Sequence, residues 1–224
     1  MPLITLPKLN LEFLTTLKGC VSLIRDPSQT ESVFDVVDGM KNTDASKFAL
    51  KYIQSDSGVE KIIQERYTPD IPNIEALLKY PPISLGYTYA SYLKESNFQA
   101  DFYRKLEVED DISYLLLRMR QVHDIWHIIT GFGTDSIGEL GLQAFSLAQT
   151  RLPLAVILLA GGLLRTLIKS PDTMGSLLDN IAIGYRMGAK AKPFLAQKWE
   201  ENWERPLDEI RKELNVELVE SYIP

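Results

Sequence analysis

Apolar residues recur along this chain at steps of three and four positions, and most positions between them are polar. Such spacing places the apolar side chains along one face of an α-helix. The alternation that marks a strand is weak throughout, and its best example, Val216 to Leu218, is very short. The pattern predicts an all-α fold, a single-domain helical bundle of about eight to ten helices over residues 1–224.

Capping residues mark the starts of several predicted helices, and glycines or prolines mark the ends of most of them. In chain order they cover residues 11–24, 28–39, 44–53, 59–67, 74–78, 87–94, 112–130, 136–147, 154–164 and 174–195. The segment Leu154 to Leu164 is almost wholly apolar and falls short of the roughly 20 residues that span a bilayer, which predicts a buried core helix. Its paired glycines, Gly161 and Gly162, would let another helix or a ligand approach the backbone.

The net charge of −6 at pH 7 argues against binding nucleic acid, or an anionic membrane, through bulk charge. A single cysteine, Cys20, excludes an intramolecular disulfide and a structural zinc site built on cysteines. The N-terminal residues resemble neither a signal peptide nor a transit peptide, so we expect a cytoplasmic or cytoplasm-facing protein.

Both histidines of the chain, His123 and His127, lie in the predicted helix of residues 112–130. At about 100° per residue, His127 lies about 40° from His123, and Asp124 lies about 60° from His127. Glu139 follows twelve residues after His127, beyond a break at Gly131 and Gly133. If that turn folds the next helix back, two imidazoles and one or two carboxylates meet, a set that suits zinc, iron or manganese with open positions for water or substrate.

Each of these residues also has a purely structural interpretation. The histidines can be ordinary core or surface residues at helical spacing. Glu139 can complete a capping box, since residues 136–139 fit S-x-x-E.

Arg120 lies three residues before His123 and shares its face, where a guanidinium could grip a carboxylate or phosphate of a substrate. The alternative for Arg120 is a local salt bridge with Asp124, four residues on. Arg118 falls on another face, where a structural role is expected.

Two familiar metal motifs fit poorly. A zincin protease has a glutamate after its first histidine, where this chain has the shorter Asp124. Phosphohydrolases with an adjacent His-Asp pair need a further upstream histidine, which this chain lacks. Non-haem iron oxygenases share the ligand types but usually build them on a β-scaffold.

The pattern H-D-x-x-H-x11-E resembles the metal-binding motif of the coenzyme Q biosynthesis protein 4 family, with His123, Asp124, His127 and Glu139 at its fixed positions. The likeness extends over roughly residues 80–205 and is looser before them. It includes Tyr80-Pro81-Pro82-Ile83-Ser84-Leu85-Gly86, Tyr89-Ala90, Tyr114, Arg118, Arg120, Ala144, Gln149-Thr150, Pro153, Ala191-Lys192-Pro193, Trp199-Glu200 and Trp203. Ser84 replaces the usual threonine, and the missing transit peptide suggests a bacterial member.

The resemblance implies an all-α protein that holds a divalent metal, zinc by expectation, and sits peripherally at a membrane. It implies that the protein binds a polyprenylated quinone precursor and acts together with other quinone-biosynthesis proteins. A homodimer is a further expectation. The reaction implied is replacement of the ring carboxylate by hydroxyl, with Arg120 and Asp124 as the catalytic candidates. The prenyl tail would lie along the apolar helix of residues 154–164.

Two other functions are compatible with the same residues. A scaffold without turnover would bind prenylated intermediates and present them to partner enzymes. A metal-dependent hydrolase would act on a prenyl phosphate.

Overall fold

The computed structural model describes residue 40 and residues 43–96 and 108–218. The α-helices within those residues are α1 (Asp44–Ile53), α2 (Ser57–Glu65), α3 (Ile74–Leu77), α4 (Leu85–Ser96), α5 (Asp111–Thr130), α6 (Ser136–Thr150), α7 (Pro153–Lys169), α8 (Met174–Lys190) and α9 (Leu207–Glu213). The described residues contain no strand, and an isolated β-bridge pairs Ser84 with Pro206. The all-α prediction is confirmed, whereas the predicted helices at 11–24 and 28–39 lie outside the described residues.

Polar side chains fix where these helices begin. At five helix starts the residue before the first turn accepts a hydrogen bond from a backbone N–H that would otherwise lack a partner. The five capping residues are Thr43, Asp56, Asn73, Asp110 and Asp135. These short polar residues explain why the predicted and observed starts agree closely.

The segment after α8 differs from its prediction. The sequence predicts one helix from Met174 to Leu195, but α8 ends at Lys190. Pro193 has no N–H to donate, and it disfavours helical backbone at the residue before it. The chain continues instead as two short 3₁₀ turns, Phe194–Ala196 and Trp199–Glu201.

An aromatic cluster joins this C-terminal segment to the central helices. The Phe194 ring lies 5.5 Å from Trp126 of α5, 4.7 Å from Phe145 of α6 and 5.2 Å from Trp199, measured between ring centroids. All four are buried. The packing fixes the orientation of α5, the helix that carries both histidines.

Helices α6 and α8 approach each other unusually closely at two glycines of α8. A Cβ atom at Gly184 would overlap the carbonyl oxygen of Gly141, and one at Gly188 would lie 2.6 Å from the carbonyl oxygen of Phe145. Glycine is therefore required at both positions, because the backbones leave no room for a side chain.

Helix α7 is not the buried core helix that its composition predicts. Only Ala155 and Leu159 of this helix are buried, and Leu159 packs in a cluster with Leu140 and Ala144 of α6 and Leu177 of α8. Gly162 also lets Leu140 of α6 pack closely. Four apolar side chains on the other side, which we call the α7 face, are exposed: Val156 (51%), Leu164 (48%), Leu167 (59%) and Ile168 (68%). A nearly continuous apolar sequence has no polar side to reveal which face meets solvent, so periodicity could not separate a half-covered helix from a buried one.

Candidate metal centre

Helix α5 presents the two histidines. It begins with a reciprocal cap between Asp110 and Ser113. Gly131 follows its last residue, Thr130, and has a positive φ of 77°, which suits glycine. The Gly131 N–H donates to the His127 carbonyl oxygen at 2.8 Å, which closes the last turn. His127 is buried and His123 is about one-third exposed.

The turn after α5 brings Glu139 back to this face. Asp135 caps α6 by accepting hydrogen bonds from the N–H groups of Ile137 and Gly138. Ser136 is the first helical residue, not the cap, so the capping box proposed for Glu139 does not form. Gly138 packs so tightly against the Gly133 backbone that a Cβ there would overlap it. This tight corner directs the Glu139 carboxylate toward α5.

The Glu139 carboxylate places one oxygen near each imidazole. Its Oε1 lies 3.2 Å from His127 Nε2, and its Oε2 lies 3.8 Å from His123 Nε2. One donor atom from each of the three residues lies within 4.8 Å of the other two. Two imidazole nitrogens and a carboxylate are a common donor set for a divalent transition metal. These three residues could therefore hold a metal ion.

The His127 ring is set up to present Nε2 as a ligand. Its Nδ1 lies 2.9 Å from the Phe132 carbonyl oxygen, which can only accept, so Nδ1 carries the proton of the neutral ring. His127 Nε2 is buried and has no hydrogen-bond partner of acceptable geometry in the described part of the chain. A metal-bound histidine typically has its other nitrogen held in this way. The orphaned nitrogen fits a metal ion.

The pKa of His127 reflects two opposing influences. Burial lowers it, but the Glu139 carboxylate, the Phe132 carbonyl and Asp124 outweigh that effect, and the pKa rises above its ordinary value. At a given pH the His127 ring is therefore protonated in a larger fraction of molecules than a free histidine would be. A metal ion has to displace that proton in order to bind.

Asp124 lies beside this group and not within it. Its Oδ1 is 3.7 Å from His123 Nδ1, whereas the other ring nitrogen, Nε2, faces Glu139. The group of three close donor residues does not include Asp124. Successive helical residues diverge by about 100°, which explains why neighbours on α5 reach different sides of the site.

The two arginines before the histidines differ as their spacing predicts. Arg118 is buried and forms a two-point ion pair with Glu200 of the C-terminal segment, at 2.7 and 2.8 Å. Arg120 is half-buried on the face of α5 that carries the histidines. Its role toward a substrate remains a prediction.

Three features near the site went unpredicted. The Phe132 carbonyl that orients His127 is backbone and has no side-chain signal. Arg211 of α9 donates to the carbonyl oxygens of Ile128 and Ile129 at the end of α5, at 2.8 and 3.0 Å. Nothing in the sequence links such distant residues.

Tyr92 of α4 is the third unpredicted feature. Burial, followed by the charges of Asp124 and Glu139, raises its pKa to about 12, so the phenol keeps its proton and can donate it. Its aromatic helix was visible in the sequence, but the influence of these two carboxylates on its phenol was not.

Comparisons with known proteins give one consistent result. The family model described as coenzyme Q (ubiquinone) biosynthesis protein Coq4 matches residues 2–220. The mitochondrial ubiquinone biosynthesis protein COQ4 homolog of Danio rerio is 34% identical over 152 residues, which are 67% of this chain and 54% of that protein. The mitochondrial COQ4 of Saccharomyces cerevisiae is 32% identical over 170 residues, 73% of this chain and 50% of that protein. The chain thus spans about half the length of these curated relatives.

A solved structure is similar over nearly its whole length. The crystal structure of a candidate ubiquinone biosynthesis protein from Nostoc punctiforme has a TM-score of 0.81 and 36% identity, covering 90% of this chain and 97% of that one. This neighbour is bacterial, which agrees with the bacterial member expected from the sequence.

Proposed function

Because the chain belongs to the coenzyme Q (ubiquinone) biosynthesis protein Coq4 family, we propose that it acts in ubiquinone or prenylquinone biosynthesis. It binds a polyprenylated ring intermediate next to a divalent metal ion. It does so beside other enzymes of the pathway, in peripheral contact with a membrane. No helix among residues 43–96 and 108–218 is long and apolar enough to cross a bilayer.

The observation that carries the proposal is the convergence of His123, His127 and Glu139 with their donor atoms within 4.8 Å. Zinc is the ion we assign, because two histidines and a carboxylate leave a position open in its usual tetrahedral set. When bound, the ion supplies Lewis acidity to the substrate head group.

The reaction we propose replaces the ring carboxylate by hydroxyl and releases carbon dioxide. The carbon–carbon bond to the carboxylate breaks and a ring carbon–oxygen bond forms with oxygen from water. The two electrons and two protons released pass to an external two-electron oxidant, which is a co-substrate. Arg120 binds the departing carboxylate, since a guanidinium offers two parallel donors to a carboxylate. Asp124 takes up a proton beside His123, from which its Oδ1 lies 3.7 Å away. Burial of His127 keeps water from that side of the site.

The test begins with metal and lipid content of the purified protein. We expect one equivalent of metal in the wild type, its loss in His127→Ala, and reduced affinity in Glu139→Gln. Glu75→Gln is the matched control, because that side chain is 80% exposed and lies on α3. Wild type that binds no metal, or the same loss in the control, would refute the site.

The second stage measures turnover of a prenylated hydroxybenzoate with an oxidant, following carbon dioxide and the hydroxylated ring. Retention of the prenylated lipid without turnover would identify the scaffold function instead. Release of inorganic phosphate from a prenyl phosphate would identify the hydrolase.

A further inference from the structure

Helix α7 has the form of a helix that lies in the plane of a lipid surface. It contains 17 residues and is about 25 Å long, and one side of it packs on α6. The α7 face falls within an arc of about 120° on the other side. Single exposed apolar residues are ordinary on a protein surface, but a contiguous set on one helix marks an interaction site.

The charged residues near the α7 face indicate which kind of partner would bind it. Arg165 and Lys169 lie beside one edge of the α7 face, at helical spacing from each other, and α7 contains no acidic residue. Residues 153–190, which span α7 and α8, contain four basic and two acidic residues, although the whole chain has a net charge of −6. This part of the chain therefore carries a net positive charge, opposite in sign to that of the whole chain.

We propose that the α7 face docks on an anionic lipid bilayer, with α7 lying along the interface. Its apolar side chains enter the acyl boundary, and its basic residues reach the lipid phosphates. The net negative charge elsewhere does not prevent this, because charges more than about 10 Å apart are largely screened at physiological salt. A second copy of the chain fits less well, since the same helix would offer no acidic residue to the partner's basic edge.

The position of α7 connects this surface with the candidate metal centre. Leu140 of α6 packs against Gly162 of α7, and the preceding residue is Glu139. One layer of helix therefore separates the docking surface from the metal donors. This inference rests on the membrane contact of the proposed function and names the surface that makes it.

The test is flotation with vesicles of phosphatidylcholine containing about a third phosphatidylglycerol, without any prenyl lipid. We expect wild type to bind, and Leu167→Glu/Ile168→Glu to bind about tenfold or more weakly, because two charges would enter the acyl boundary. The matched control is Ile71→Glu/Ile83→Glu, whose side chains are 67% and 66% exposed outside α7, and it should bind like wild type. Lys169→Gln should weaken binding to anionic vesicles.

Three results would overturn the inference. These are wild type that does not float, an α7 double variant that floats as well as wild type, and a wild-type dimer that this variant dissociates without any vesicle binding. Far-ultraviolet circular dichroism and metal content are measured on the same samples. Normal metal content with no vesicle binding would refute the docking surface alone, whereas missing metal with intact vesicle binding would refute the metal centre alone.

Discussion

The buried pair of Arg118 and Glu200 offers the sharpest test of how the histidine helix is held. Their side chains are 1% and 10% exposed, and the guanidinium meets both carboxylate oxygens. Arg118 also donates to the Gln197 carbonyl oxygen at 3.2 Å, and its guanidinium lies 5.2 Å from the centre of the Tyr67 ring. The pair ties α5 to the segment after α8.

Glu200→Gln keeps the shape of the side chain but leaves a charged guanidinium buried. Removing one partner of a buried ion pair costs about 3–5 kcal/mol. The Gln197 carbonyl and the Tyr67 ring still stabilise the cation, so we expect a loss near the lower end, about 3 kcal/mol. With a urea m-value of about 2 kcal/mol/M, the unfolding midpoint would fall by about 1.5 M.

Urea unfolding followed by tryptophan fluorescence measures this loss. The control is Glu213→Gln, which removes an exposed pair with Arg205 (side chains 50% and 37% exposed) and should cost less than about 1 kcal/mol. Arg118→Leu/Glu200→Leu should recover most of the stability, because replacing both partners leaves no unpaired charge. Equal losses in Glu200→Gln and Glu213→Gln would refute the reasoning.

Two other substitutions test the fold and the site. Gly184→Ala should destabilise the protein by about 2 kcal/mol or more, because its Cβ meets backbone of α6, whereas Gly175→Ala, with nothing within 4 Å, should be neutral or slightly stabilising in thermal melts. Asp124→Asn should keep one equivalent of metal and weaken its binding by about 10–100-fold, as for a residue that orients a ligand. Glu139→Gln should weaken binding more, and isothermal titration with zinc would show equal losses if Asp124 were itself a ligand.

Local sequence signals placed most of the helices and the candidate donors. The span predicted for the histidine helix, 112–130, is close to the observed Asp111–Thr130, because an acidic start and a glycine end act locally. The spacing of His123 and His127 fixed their shared face for the same reason. The approach of Glu139 depended on a turn whose direction the sequence left open.

Features that depend on contacts between distant residues could not be predicted from the sequence. The partner of Arg118 lies 82 residues away, and no periodicity links it to Glu200. The exposure of one side of α7 could not be predicted for a related reason, since the burial of a helix depends on which other elements pack against it. An apolar composition shows that a helix can be buried, but tertiary packing determines which of its sides is buried.

The donor residues of the candidate metal centre all fall between positions 123 and 139, within one helical corner. Contacts so close in sequence close small loops and form early when a chain folds. The corner can therefore assemble its donors before the C-terminal segment docks, and a metal ion present during synthesis would stabilise that early structure by mass action. It is also the natural unit to transplant: residues 110–150, grafted into an unrelated helical protein, would carry the donor set and its orienting backbone together.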